Sequence, residues 1–284
     1  MGSVRQTPRR HSHFRLGAAR FAERVCSALG GRAFYRSRYL AAGRLVVRTE
    51  TARVPRLPAA LEGFCIVQIS DLHGGSFLGP GDLAHLVDTV DALAPDVIAL
   101  TGDFVTHDAR EVERVAGDLA RLRAPLGVYA VFGNHDYRGR EEALIAAALP
   151  GVCFLRNASA RVQRDGASVA FVGVEDLEEG RVVDLDLARA GLAPGDVEIV
   201  LCHNPLGARA IARAGCAAIL SGHTHAGQID LPFLRRLGPK HPGLRLLLGD
   251  TLLVTSRGVG AVGVPLRIGA PAEIVVVRLA RRVD

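Results

Sequence analysis

The sequence predicts an α/β fold in which largely parallel strands alternate with helices, preceded by a basic N-terminal arm. From residue 57 onward, short apolar runs rich in β-branched residues alternate with helical patterns, which is typical of this class. Hydrophobic residues make up 49% of the 284 residues and charged residues 23%, as in globular proteins. The composition changes after an Arg-rich beginning, so we assign residues 1–56 to the arm and 57–284 to one large domain.

Six strands are predicted from continuous apolar runs, the pattern of parallel strands that are buried on both faces. They span residues 64–70, 96–101, 127–132, 169–174, 197–202 and 217–221. Helical patterns separate them at 82–93, 110–123, 141–149, 187–191 and 206–214. Toward the C-terminus, strand patterns at 244–255 and 272–279 follow one another without a helix, so we expect antiparallel pairing there.

Polar side chains follow five of these strands at the point where each strand ends. The segments are DLH at 71–73, GD at 102–103, GNHD at 133–136, HN at 203–204 and GHTH at 222–225. The carboxyl ends of strands in open α/β sheets meet at one crevice, where ligands bind. We therefore expect these segments, far apart in the sequence, to form one site.

The five segments supply carboxylate, amide and imidazole donors and no thiolate. The candidate ligands are Asp71, His73, Asp103, Asn134, His203, His223 and His225. They suffice for two divalent metal ions that share one bridging carboxylate, and nitrogen and oxygen donors suit Mn, Fe, Zn, Ni or Co. A single DxH or GD is common by chance, whereas five such segments at successive strand ends indicate a metal site.

In this order, DLH, GDFVTH, GNHD, a single histidine at 203 and GHTHAGQ resemble the calcineurin-like metallophosphoesterases over roughly residues 57–284. ISDLHGG, LTGD, GHTHAGQ and a late SRGVG…P…R segment are most similar to the bacterial phosphodiesterase branch, which includes UDP-diacylglucosamine pyrophosphatases. The resemblance implies a four-layer α/β/β/α sandwich with two metal ions at the sheet edges.

The resemblance also implies a role for each motif residue. The first metal would be bound by Asp71, His73 and His225, the second by Asn134, His203 and His223, and Asp103 would bridge them. His135 would lie near the scissile phosphate as an acid or electrostatic stabiliser, oriented by Asp136. From their positions near the motifs, we also expect substrate contacts from His107, Gln228 and Arg257.

The function that these residues predict is hydrolysis of a phosphodiester or pyrophosphate bond by a metal-bound hydroxide, in a small-molecule or lipid-linked substrate. A phosphomonoesterase or a nuclease on the same site is an alternative, and so is a non-catalytic scaffold. No ligand position is lost, which disfavours the scaffold. The arm offers few interleaved aromatic residues, so no specific nucleic-acid partner is expected.

The arm carries thirteen arginines and two acidic residues, a charge of +11, whereas the rest of the chain carries −5. Apolar residues from position 14 recur on one helical face: Phe14, Leu16, Ala18, Phe21, Val25 and Leu29. This pattern predicts a basic amphipathic helix on an anionic membrane surface, and the alternative is a leader that packs on the domain.

Three further features bear on location. No apolar run approaches the ~18 residues of a membrane-spanning helix. The start of the sequence fits neither an export signal nor a myristoylation site. The five cysteines are scattered without a CxxC pair, which fits a reducing compartment. The predicted location is the cytoplasm, with peripheral contact at the inner face of the membrane.

Overall fold

The structure, a computed structural model, describes residues 13–180, 182–230 and 243–282. Two six-stranded sheets pack face to face, and helices cover the outer face of each sheet. The chain therefore forms the four-layer α/β/β/α sandwich that the sequence predicts.

The strands follow in chain order as β1 (Val46–Val54), β2 (Cys65–Ile69), β3 (Val97–Leu100), β4 (Val128–Ala130), β5 (Cys153–Phe154), β6 (Ala158–Arg164), β7 (Ala167–Gly173), β8 (Val197–Leu201), β9 (Ala218–Ser221), β10 (Arg245–Leu248), β11 (Thr251–Thr255) and β12 (Glu273–Arg281). The α-helices are α1 (His13–Cys26), α2 (Arg32–Tyr35), α3 (Ala84–Leu93), α4 (Glu113–Leu119), α5 (Glu142–Ala148), α6 (Leu185–Ala188) and α7 (Ala208–Ala212). Short π-helical turns, Ser27–Gly31 and Arg36–Leu40, flank α2.

Each sheet has a parallel centre. The first sheet runs β1-β12-β2-β3-β4-β5, with β2 to β5 parallel and β12 antiparallel to β2. The second runs β10-β11-β9-β8-β7-β6, with β7, β8, β9 and β11 parallel and an antiparallel strand at each edge. The parallel centres bring the carboxyl ends of β2, β3, β4, β8 and β9 to the same end of the sandwich.

The core follows from the alternation of apolar side chains along these strands. In β2, Val67 and Ile69 pack under the helices of the first outer layer, whereas Ile66, which precedes Val67, faces the second sheet. In β7, Phe171 faces the first sheet and Val172 packs under α6 and α7. A strand buried on both faces must be apolar at every position, which explains the continuous apolar runs.

Two features differ from the sequence prediction. Strand β1 lies inside the range 1–56 that we assigned to the arm, and it pairs in parallel with β12 along its whole length. It carries Arg48, which is part-buried and pairs with Glu50 and Glu273, and Arg53, which is exposed, so this edge strand resembles a basic tail in the sequence. The C-terminal pairing predicted between 244–255 and 272–279 is wrong: residues 245–255 form the antiparallel pair β10 and β11, and β12 joins the other sheet.

The N-terminal arm is described from residue 13, and the predicted charge pattern of residues 1–12 lies outside the described part, as do the side chains of Phe14 and Leu16. Within the described residues, no helix has the length and apolar character needed to cross a bilayer.

Candidate metal centre

The predicted ligands come together at the carboxyl ends of the parallel strands. Asp71 and His73 follow β2, Asp103 follows β3, and Asn134 follows β4 of the first sheet. His203 follows β8, and His223 and His225 follow β9, so the second sheet supplies three imidazoles to the same place. Most of these side chains are buried.

One group of ligand atoms surrounds a first metal position. The two Nε2 atoms of His73 and His225 lie 2.9 Å apart, and Asp71 Oδ1 lies 3.3 Å from His225 Nε2. Asp103 Oδ2 closes the group at 3.6 Å from His73 Nε2. Nitrogen and oxygen atoms this close point their lone pairs at a common centre.

A second group lies on the other side of Asp103. Asn134 Oδ1 is 2.9 Å from His223 Nδ1 and 3.3 Å from His203 Nε2, and Asp103 Oδ2 is 3.3 Å from His203 Nε2. The same Asp103 oxygen therefore faces both groups. Asp71 also lies within reach of Asp103 and His203, so the division of these residues between two metals stays the one that the sequence resemblance implies.

The far nitrogens of these imidazoles are held by neighbours. His203 donates from Nδ1 to the Thr101 carbonyl at 2.7 Å, which directs Nε2 toward the ligand group. His223 directs Nδ1 toward Asn134, and its Nε2 lies 3.6 Å from Glu178 Oε1. Carbonyl and carboxylate partners of this kind fix the ring orientation of metal-binding histidines.

The backbone at the site is strained in a way that serves ligand placement. Five of the seven candidate ligands have φ in the left-handed region, between 48° and 69°: Asp71, His73, Asp103, His223 and His225. Such values are uncommon outside glycine and cluster at functional sites. Two glycines allow the close approach, because a Cβ on Gly133 would overlap Asp103 and one on Gly222 would overlap Asp71.

The buried carboxylates of the site need positive charge beside them. Burial raises the pKa of Asp71, against the opposing charge of His203. Burial would also raise the pKa of Asp103, but the charges of His203 and His135 hold it well below its usual range. For His203, burial lowers the pKa but the Asp103 carboxylate raises it well above the ordinary value. Without metal, a proton on His203 thus supplies the positive charge that a buried carboxylate needs.

The other two imidazoles of the first group are neutral bases. Burial lowers the pKa of His73 and of His225 well below the ordinary histidine value, so each presents a lone pair and no charge. Neutral imidazole and ionised carboxylate are the forms that bind divalent metals. The donor set therefore fits two ions that share Asp103.

His135 and Asp136 occupy the site, but the link predicted between them is wrong. Asp136 accepts hydrogen bonds from the backbone N–H groups of Asp103, Phe104, Val105 and Gly133, and so ties the loops after β3 and β4 together. Burial, with the Asp103 charge, raises the pKa of Asp136 to about 8. The His135 ring is oriented instead by the Thr106 carbonyl, 2.6 Å from Nδ1.

Arg138 is a site residue that the sequence analysis missed. Its Nη1 donates to the Thr106 carbonyl at 2.7 Å, and its Nη2 lies 3.1 Å from His135 Nε2. Because Nδ1 of His135 donates to a carbonyl, Nε2 is the acceptor in this contact. The Arg138 guanidinium therefore lies beside the imidazole that faces the metal positions.

This geometry is matched by the comparison with known families. The family model described as calcineurin-like phosphoesterase matches residues 65–227, which include all seven candidate ligands. The chain belongs to the calcineurin-like phosphoesterase family. The family is one of phosphoesterases that use two metal ions, and the described residues include groups of His and Asp that could hold metal.

Relatives of this phosphoesterase have the same domain in their names. A "Transmembrane protein with metallophosphoesterase domain" of Bos taurus is 35% identical over 247 residues, covering 80% of this chain and 55% of that protein. The metallophosphoesterase YkuE of Bacillus subtilis (strain 168) is 30% identical over 253 residues, covering 86% of this chain and 88% of YkuE. The chain spans about half the length of the bovine relative and of the similar Danio rerio protein.

Three residues of the phosphoesterase were predicted to contact substrate. His107 is buried, with its Nε2 2.8 Å from a Glu23 carboxylate oxygen. The Gln228 amide binds the backbone of Val262 and Val264. The Arg257 guanidinium lies 2.5 Å from the buried Glu273 carboxylate. Each side chain thus has a structural partner, and their substrate contacts stay a prediction.

The N-terminal segment of the phosphoesterase also reaches a predicted ligand. The Nη2 atom of buried Arg267 lies 3.2 Å from His225 Nδ1. Its Nε donates to the Tyr35 hydroxyl at 2.9 Å, and its backbone carbonyl accepts from the Tyr39 hydroxyl at 3.0 Å. Tyr35 and Tyr39 therefore hold the side chain that orients His225, so this part of the predicted arm is built into the domain.

Proposed function

We propose that the chain hydrolyses a phosphodiester or pyrophosphate bond with two divalent ions of the Mn, Fe or Zn type. The observation that supports this proposal is the pair of ligand groups joined by Asp103, with His135 and Arg138 beside them. Asp71, His73 and His225 would hold one ion, and Asn134, His203 and His223 the other. When bound, such ions stabilise negative charge on the phosphoryl group and acidify a water molecule.

His135 is the group best placed to serve the leaving oxygen. The Thr106 carbonyl accepts from its Nδ1, so Nε2 is the atom that would exchange the catalytic proton, with substrate replacing Arg138 as its partner. Burial lowers the pKa of His135 well below the ordinary value, so the ring carries a proton on Nε2 only while a negative charge lies against it. A departing alkoxide or phosphate oxygen provides that charge.

The cations near the site favour a substrate with one negative charge per phosphorus. Arg138 contacts His135, whereas Arg257 is paired with Glu273, and Arg267 donates mainly to backbone carbonyls. A monoester dianion gains from several fixed cations, while a diester or pyrophosphate linkage distributes less charge on each phosphoryl group. This arrangement supports the diester or pyrophosphate over the monoester.

A substrate screen tests the proposal. Full-length protein loaded with Mn²⁺ is assayed on bis(p-nitrophenyl) phosphate, p-nitrophenyl phosphate, a UDP-linked acyl-sugar and single-stranded DNA, with chelator-treated protein as the control. We expect the diester or the UDP-linked pyrophosphate to give the highest kcat/KM, and chelator to remove the activity. A higher kcat/KM on the monoester would contradict the proposal, and a higher kcat/KM on DNA would assign the diesterase activity to a nuclease.

A further inference from the structure

Helix α1 packs on the domain with its polar face inward. Glu23 is 1% exposed, and its carboxylate contacts His107 Nε2 at 2.8 Å and accepts from the Gly263 N–H at 2.7 Å. Arg20 donates to the His107 carbonyl at 2.7 Å. An ordinary surface helix buries its apolar face, so this orientation is inverted.

The apolar face of the same helix points away from the domain. Phe21 is 70% exposed, Val25 40% and Leu29 84%. Phe21 and Val25 are four residues apart and so lie on one side of α1, opposite Glu23, and Leu29 follows in the π-helical turn Ser27–Gly31. This row of exposed side chains leaves apolar area in water that the fold itself does not cover.

A neighbouring loop extends the apolar face. Gly263, which donates to Glu23, begins a segment in which Val264, Leu266 and Ile268 are exposed. Pro265 in this segment packs against Gly31, the residue that ends the π-helical turn after α1. The loop therefore lies against the helix, and we call these exposed apolar residues of helix and loop together the docking face.

The segment that carries the helical part of the docking face is basic, although Arg32 and Arg36 pair with Asp82. Residues 13–45 contain seven arginines and a single acid, Glu23, which is buried against His107. Arg24 is exposed on α1 itself. Apolar side chains bordered by arginines fit a surface that is apolar inside and anionic outside, which is the interface of an anionic bilayer.

We propose that the docking face binds the surface of an anionic membrane, with Phe21, Val25 and Leu29 in the interfacial layer. The opposite side of α1 contacts the loop beside the metal centre, because Glu23 contacts His107, and the preceding Thr106 carbonyl orients His135. The proposal is independent of which phosphoester is cleaved, since it concerns binding and not turnover.

The composition of residues 1–12 does not match that of a segment that would cover the docking face. They read MGSVRQTPRRHS and supply two large apolar side chains, Met1 and Val4, against three arginines. A second copy of the chain would place arginines against arginines, which opposes association. An anionic lipid surface meets both the apolar and the charge requirement.

Point variants test this better than truncation at residue 57, because such a truncation removes β1 from the first sheet and Glu23, Tyr35 and Tyr39 from their contacts. The double variant F21S/L29S changes two exposed side chains, and the matched control L187S/L247S changes two leucines exposed elsewhere. Co-sedimentation is measured with vesicles of phosphatidylcholine, with and without phosphatidylglycerol, at low and high salt.

We expect the full chain to bind the phosphatidylglycerol vesicles and to be released as salt rises, because screening shortens from ~8 Å at physiological salt to ~3 Å at 1 M. F21S/L29S should bind at least about tenfold more weakly, Arg24→Gln about fivefold more weakly, and L187S/L247S like the wild type. All four proteins should hydrolyse a soluble diester equally, so loss of docking and failure of the proposed function are distinguishable.

Equal sedimentation of the wild type and F21S/L29S would overturn the proposal, and so would equal binding to vesicles that lack phosphatidylglycerol. A wild-type dimer in light scattering that F21S/L29S converts to a monomer, without vesicle binding, would assign the docking face to a second copy. Retention of the wild type on nucleic acid but not on vesicles would assign the arginines to nucleic acid.

Discussion

Asp103→Asn is expected to remove nearly all phosphoesterase activity while the fold persists. The Asp103 carboxylate faces both ligand groups, at 3.6 Å from His73 Nε2 and 3.3 Å from His203 Nε2, and the amide lacks the charge that holds two cations together. Several kcal/mol of transition-state stabilisation depend on the metals, and each ~1.4 kcal/mol is tenfold in rate. We expect kcat/KM on a diester to fall at least about 10³-fold.

The fold should survive this change, because an amide is isosteric with the carboxylate. In the wild type the His135 N–H donates to Asp103 Oδ1 at 2.9 Å, and the amide oxygen of the variant can accept the same bond. Asp88→Asn on the exposed side of α3 is the matched control, and its activity and thermal midpoint should equal those of the wild type. Full activity in Asp103→Asn, with its thermal midpoint unchanged, would show that Asp103 does not bridge two metals.

His135→Ala should lower kcat by about 10²–10⁴, the usual contribution of a positioned proton-transfer group, and leave metal binding intact. The His135 ring lies near His73 and Asp103, so it is also a rival ligand for the first metal. Its Nδ1 is held by Thr106 and its Nε2 by Arg138, which favours a catalytic role over ligation.

Metal content separates the two roles. His135→Ala is expected to bind as many ions as the wild type, and His85→Ala on α3 serves as the control for a histidine outside the site. If His135→Ala loses one ion together with its activity, His135 is a ligand and the assignment of the first group is incomplete.

The candidate ligands were predictable because each comes shortly after a buried parallel strand. The carboxyl ends of parallel strands lie at the same edge of a sheet, independently of the loop sequences. His203 illustrates this: a single histidine after an apolar run carries little information by itself, but its position in the strand order places it beside Asp103. The role of the glycines at 133 and 222 was equally predictable, since a Cβ atom at either position would overlap a carboxylate of the site.

The supporting residues were not predictable from the same pattern. Arg138 and Glu178 lie in loops, where no periodicity marks which side chain turns inward. The error over Asp136 has a similar cause, since its partners are backbone N–H groups and the sequence does not show them. Helix α1 has an amphipathic pattern in the sequence, but only the structure shows that Glu23 is buried against the domain and that Phe21 and Val25 are exposed.

The number of metal ions bound per chain tests the central claim most directly. Metal-free wild-type protein is titrated with Mn²⁺ by calorimetry, and the bound metal is then counted by elemental analysis after removal of free ions. Two ligand groups that share Asp103 predict two ions per chain in the wild type, and one in Asn134→Ala, because Asn134 belongs to the second group alone. A wild-type chain that binds one ion, or none, would contradict the dinuclear site.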